Sequence, residues 1–180
     1  MGTLTYNERS WAIDVISQIN AFALRLSKPI RRAGGEVTLR STQKSLFPDI
    51  LLYGDERSGS ILQGWELKMP NTPINDFAFI QNAEQKARLL NLNSFLIWNA
   101  NTAHLYILTA DGKYEIKESW NTPGITTREQ VKENEEGWIS TLYEILTVLN
   151  DYFEQGILRH RTAIDISKVS PFVKTKKWHV

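Results

Sequence analysis

Cysteine is absent from this 180-residue chain, and histidine occurs only three times, at His104, His160 and His179, without ligand spacing. The first absence excludes disulfides, thiolate nucleophiles and cysteine-rich zinc sites. The second disfavours a histidine-based zinc site and a serine–histidine triad. No apolar run approaches the length needed to cross a bilayer, and the N-terminus carries no signal-peptide pattern, so the cytoplasm is the expected location. Glycine-rich phosphate loops of the Rossmann and P-loop types are missing, as are internal repeats and low-complexity tracts. A metal, if one binds, must be held by carboxylates, which points to magnesium, with manganese as its substitute.

What is present suits a globular chain with a substantial core: 42% apolar and 23% charged residues, with a formal net charge of +1. That near-neutral sum hides an uneven distribution. Between Arg25 and Lys44 the bases Arg25, Lys28, Arg31, Arg32, Arg40 and Lys44 face a single acid, Glu36. From Ile157 onward, Arg159, Arg161, Lys168, Lys174, Lys176 and Lys177 stand against Asp165 alone, while acids collect between Glu129 and Glu154. Basic clusters of this kind attract a phosphate backbone, although dispersed solvated lysines would read the same way.

Periodicity predicts an amphipathic helix from Tyr6 to Leu26, with Trp11, Val15, Ile19, Phe22 and Leu26 on one side. Gly34-Gly35 reads as a break, followed by a first strand over Glu36–Arg40. Two apolar strands come next, Leu46–Tyr53 and Ile61–Met69, joined by a segment rich in turn formers that predicts an antiparallel hairpin. Pro70 and Pro73 end the third strand. A second helix, capped by Asn75 or Asp76, runs to about Leu90 with Ile80, Ala83, Ala87 and Leu90 inward. Strands at Ser94–Asn99, Ala103–Thr109 and Tyr114–Glu118 precede a long helix over Gly137–Phe153, with Gly156 placed to end it. The expected fold is α/β, a central mixed sheet flanked by helices, occupying residues 1–156, with a basic tail or linker over 157–180.

Charges inside the two apolar strands need a reason, because an unpaired buried carboxylate is costly. Glu66 and Lys68 share one strand face, Trp65, Leu67 and Met69 the other, and Asp49 can join the charged pair from the adjacent strand. Two carboxylates and a lysine converging at a sheet edge make a divalent-metal site with a built-in cation. An ordinary Glu66–Lys68 salt bridge on a solvated face is the simpler alternative. Trp65, Trp98 and Trp138 fall on apolar faces and are expected in the core.

This element order, with Pro48-Asp49 and Glu66-Leu67-Lys68 on consecutive strands, resembles the PD-(D/E)XK nuclease superfamily over roughly Tyr6 to Asn99. Asn7–Ala12, Leu46–Asp49, Gln63–Pro70 and the helix containing Gln81-Asn82-Ala83 look like the N-terminal cleavage module of single-chain restriction–modification enzymes of bacterial defence. The resemblance implies a restriction-endonuclease-like core and a magnesium-dependent DNA endonuclease. Asp49 and Glu66 would hold the metal with the backbone carbonyl of Leu67, and Lys68 would orient or stabilise the attacking water. Glu8, inward on the first helix, would complete the metal shell; alternatively, Thr5-Tyr6-Asn7-Glu8 forms a capping box that uses it up. Gln81 is a possible accessory residue, though a plain surface amide fits as well. Arg31, Arg32, Arg40, Lys44 and Lys86 are candidate DNA contacts, Lys86 equally a solvated lysine; Glu36 is expected to pair with Arg31 or Arg40.

The implied substrate is double-stranded DNA, with a dimer, stable or transient, for cutting both strands. The methyltransferase or specificity module, fused or separate, would be another part of the system, since no Asn-Pro-Pro-Tyr motif occurs here. A repair or recombination nuclease of the same fold, or a catalytically inactive DNA-binding module, are the alternatives.

Overall fold

The computed structural model describes residues 5–25, 29–35, 47–55 and 60–159. Among the described residues six strands form one mixed sheet in the order β1-β2-β3-β4-β5-β6: β1 (Arg32–Gly35), β2 (Ile50–Tyr53), β3 (Ile61–Leu67), β4 (Ser94–Trp98), β5 (Thr102–Leu108) and β6 (Tyr114–Asn121). Neighbours are antiparallel except β3 and β4, which run parallel because helix α2 (Phe77–Leu89) crosses between them. Helices α1 (Glu8–Ala23), α3 (Arg128–Glu133) and α4 (Glu135–Glu154) are the other helices of the described residues. Among the described residues no helix is long and apolar enough to cross a membrane.

The two faces of the sheet are covered by different helices. Trp11, Val15 and Ile19 of α1 and Trp138, Leu142, Ile145 and Leu149 of α4 bury with Ile50, Trp65, Leu67, Leu96 and Trp98 in the larger core. On the opposite face Phe79, Ala83 and Ala87 of α2 pack on Phe95, Ile97 and Tyr106. Strand alternation decides this division: Leu96 and Trp98 point one way, Phe95 and Ile97 the other. At the centre of the larger core four fully buried indoles meet edge-on, with Trp11–Trp98 centroids at 4.8 Å, Trp11–Trp138 at 6.1 Å, and Trp65–Trp98 and Trp98–Trp138 at 6.3 Å. The expectation that these tryptophans are core residues holds.

Local differences from the expected elements have local causes. Helix α1 begins at Glu8 because Asn7, not Thr5, caps it, its side chain accepting from the Ser10 amide at 3.0 Å. The Thr5-based box therefore does not set the helix start. Gly34 and Gly35 are not a break but half of β1. Asn20 of α1 grips this strand, accepting from the Ala33 amide at 2.8 Å and donating to its carbonyl at 3.3 Å. Glycine suits the position because α1 lies so close that a side chain on Gly35 would meet Ile16 Cδ1 at 3.2 Å. The strand expected over Glu36–Arg40 lies outside the described residues. Strand β6 extends to Asn121, and α3, unforeseen, is closed by a capping box between Thr127 and Gln130. Gly156 follows the Gln155 C-cap of α4 with φ +74°, the left-handed conformation that ends a helix. Beyond it, Asn93 fixes the chain by bonding the Ile157 carbonyl and the Arg159 amide.

Candidate active site

The hairpin of β2 and β3 brings the two acids together. The antiparallel register pairs Ile50 with Trp65 and Leu51 with Gly64, so one further step sets Asp49 opposite Glu66. Their side chains lie on the α2 face, as the neighbours Leu51 and Tyr53 do, leaving Trp65 and Leu67 to the tryptophan core. Asp49 Oδ2 accepts from the Leu67 amide at 2.8 Å, which fixes the carboxylate to the end of β3. Lys68 is held one residue on, its amide bonded to the Trp98 carbonyl at 3.0 Å.

Glycine makes this approach possible. A Cβ on Gly64 would stand 2.4 Å from Pro48 Cγ and 3.0 Å from Pro48 Cβ. The proline ring thus abuts the strand two residues before Glu66, and the following residue, Asp49, is placed beside that acid. Gly64 was not among the expected site residues, although a glycine in an otherwise bulky strand is the sequence mark of a close backbone approach.

Lys86 is the principal correction. Rather than a solvated lysine, it is only 7% exposed, with Nζ 2.7 Å from Glu66 Oε1. Its position follows from α2, where Phe79, Ala83, Lys86 and Ala87 form the buried stripe. The spacing was legible: Lys86 stands three residues after Ala83 on an apolar face. Glu66 therefore pairs with Lys86 and not with Lys68. Lys68 instead reaches Glu8 at the start of α1, Nζ to Oε1 at 3.5 Å, in a half-exposed contact.

The electrostatics follow from this crowding. Burial pushes the Glu66 carboxyl up to about 8, Asp49 adds to the rise, and the ammonium groups of Lys86 and Lys68 oppose it. Asp49 is also raised, again chiefly by burial, against the Leu67 hydrogen bond and the two lysines, with Glu8 adding to the rise. Asp49 thus makes Glu66 harder to ionise, a strain that a divalent cation between them would relieve. Asp49 and Glu66 are hard oxygen donors and fit such an ion; among the described residues no cluster of three or more acids or histidines adds to them. The atom of Leu67 engaged at this site is its amide.

The other expected residues stand farther out. Gln81 is exposed on the outer side of α2. Arg32 lays its guanidinium over the Tyr53 ring at 4.1 Å, and the Arg31 amide bonds the Tyr53 carbonyl at 2.9 Å. Arg40, Lys44 and Glu36 lie outside the described residues. No family model, curated protein or solved structure matches the chain.

Proposed function

We propose that this protein is a metal-dependent DNA endonuclease of the PD-(D/E)XK type, the cleavage module of a restriction–modification system. The observation that carries the reading is the placement of Asp49 opposite Glu66 on adjacent strands, with Lys68 next in line at the end of β3. The helix–strand–strand–strand–helix–strand order of α1 to β4 supports a restriction-endonuclease-like fold around that site.

A bound magnesium ion would supply charge neutralisation and a hydroxide at near-neutral pH. Asp49 and Glu66 would hold it, Asp49 already oriented by the Leu67 amide. Lys68, more exposed than Lys86, would carry its ammonium toward the phosphate and stabilise negative charge as it develops on the phosphoryl oxygens. Glu8 would hold Lys68 in place until substrate arrives, an arrangement that gives Glu8 a positioning rather than a ligating part. Double-stranded DNA is the proposed substrate, with two copies acting together for a double-strand cut.

Incubation with supercoiled plasmid and phage DNA in Mg²⁺ or Mn²⁺, beside EDTA and Lys68→Ala controls, tests the reading. Metal-dependent cutting that is lost in Lys68→Ala supports it; discrete bands indicate restriction, nicks or smears an uncoupled cleavage module or a repair nuclease. A second reading, a silent DNA-binding module, draws on the ion pairs that occupy Glu66 and Lys68. Duplex binding without cutting, indifferent to Lys68→Ala, would favour it.

A further inference from the structure

Lys86 is a buried cation on a carboxylate that the proposed chemistry assigns to a metal. The two lysines near the acids differ sharply: the Lys86–Glu66 side chains are 9% and 5% exposed, the Lys68–Glu8 pair 39% and 42%. A buried ion pair is seldom worth more than an apolar pair of the same volume, so a lysine on the stripe of Phe79, Ala83 and Ala87 calls for a use. The ammonium thus lies within hydrogen-bonding distance of a carboxylate whose charge a divalent ion would also compensate. A compact charge on a flexible four-carbon stem can withdraw, which a guanidinium fork or a fixed dipole does less readily.

We propose that Lys86 and a divalent cation are alternative occupants of the Asp49–Glu66 site. Lys86 is a positioning residue that keeps Glu66 in place and charge-compensated without metal, and the ion binds Glu66 by taking over from its ammonium. The metal affinity of the protein is accordingly set low by its own side chain. This inference rests on the metal-centre reading, and its test must separate the two.

The test is Mn²⁺ binding by titration calorimetry to the metal-free protein without DNA, at alkaline pH, for wild type, Lys86→Met and Glu66→Gln. Lys86→Gln, which keeps a donor beside Glu66 but removes the charge, carries the same comparison if the methionine variant does not fold. Loss of the competing charge is expected to lower the Kd of Lys86→Met by about tenfold or more. Its melting temperature should fall below wild type without metal and rise further than wild type does on adding Mn²⁺. Glu66→Gln should lose the binding. An unchanged or raised Kd in the Lys86 variants, with wild type still binding through Glu66, overturns the exchange and leaves the metal centre standing. No Mn²⁺ binding by wild type or by any variant overturns both.

Discussion

Glu66 is a carboxyl buried between another carboxyl and an ammonium, and its surroundings make a pH dependence that can be read without substrate. Its folded value of about 8 lies above the ordinary 4.5, so the unfolded chain loses this proton first. Stability of the metal-free protein should therefore fall as pH rises from about 4.5 to about 8 and level off above, at most about 1.4 kcal/mol per pH unit from this one group. Asp49, raised as well, adds with the same sign. Urea midpoints across that range, in EDTA, check this against Glu66→Gln, which should flatten the profile; a wild-type curve no steeper than the variant's contradicts it. At this scale the acids were legible because charge inside an apolar strand is conspicuous. The pairing was not, because Glu66 and Lys68 look like partners by alternation alone. Only α2, closing the other side of β3, puts a nearer lysine on Glu66.

The elements that deliver these groups rest on a few small residues. Gly64→Ala would drive a methyl group into Pro48, whose ring cannot fold away, and should cost about 1–3 kcal/mol while shifting Asp49 off Glu66. A lowered melting temperature together with weakened Mn²⁺ binding is the expected result; unaltered binding would mean that Pro48 does not position the acid. Asn7→Ala removes the cap of α1 and should cost about 1 kcal/mol, seen as faster amide exchange in the first turn, where Glu8 meets Lys68. Helices and central strands were readable from their periods, since burial on one side governs them. Strand β1 was not: its Arg-Ala-Gly-Gly sequence carries no strand pattern, and its place is determined by Asn20 and by the closeness of α1. Helix α3 is a single short segment with one buried residue, Val131, too little for a periodic signal.

The whole molecule stands on the tryptophan core, which fastens α1 and α4 to the face of the sheet opposite the acids. Trp98 touches three other indoles and lies on the strand whose carbonyl holds the Lys68 amide. Trp98→Ala should cost about 3–5 kcal/mol in denaturant unfolding; a loss below about 1 kcal/mol would contradict the central role given to this cluster. The α/β class and the mixed sheet were legible from the order of elements, because a helix between two buried strands enforces a parallel crossover. The most direct test of the central claim is the rate of Mg²⁺-dependent plasmid cleavage by wild type and Asp49→Asn at equal folded concentration and equal duplex binding. The account predicts cleavage by wild type and a fall on the order of 10²-fold or more in the variant. Cleavage at the same rate by both would remove Asp49 from the chemistry, and with it the metal centre proposed for this protein.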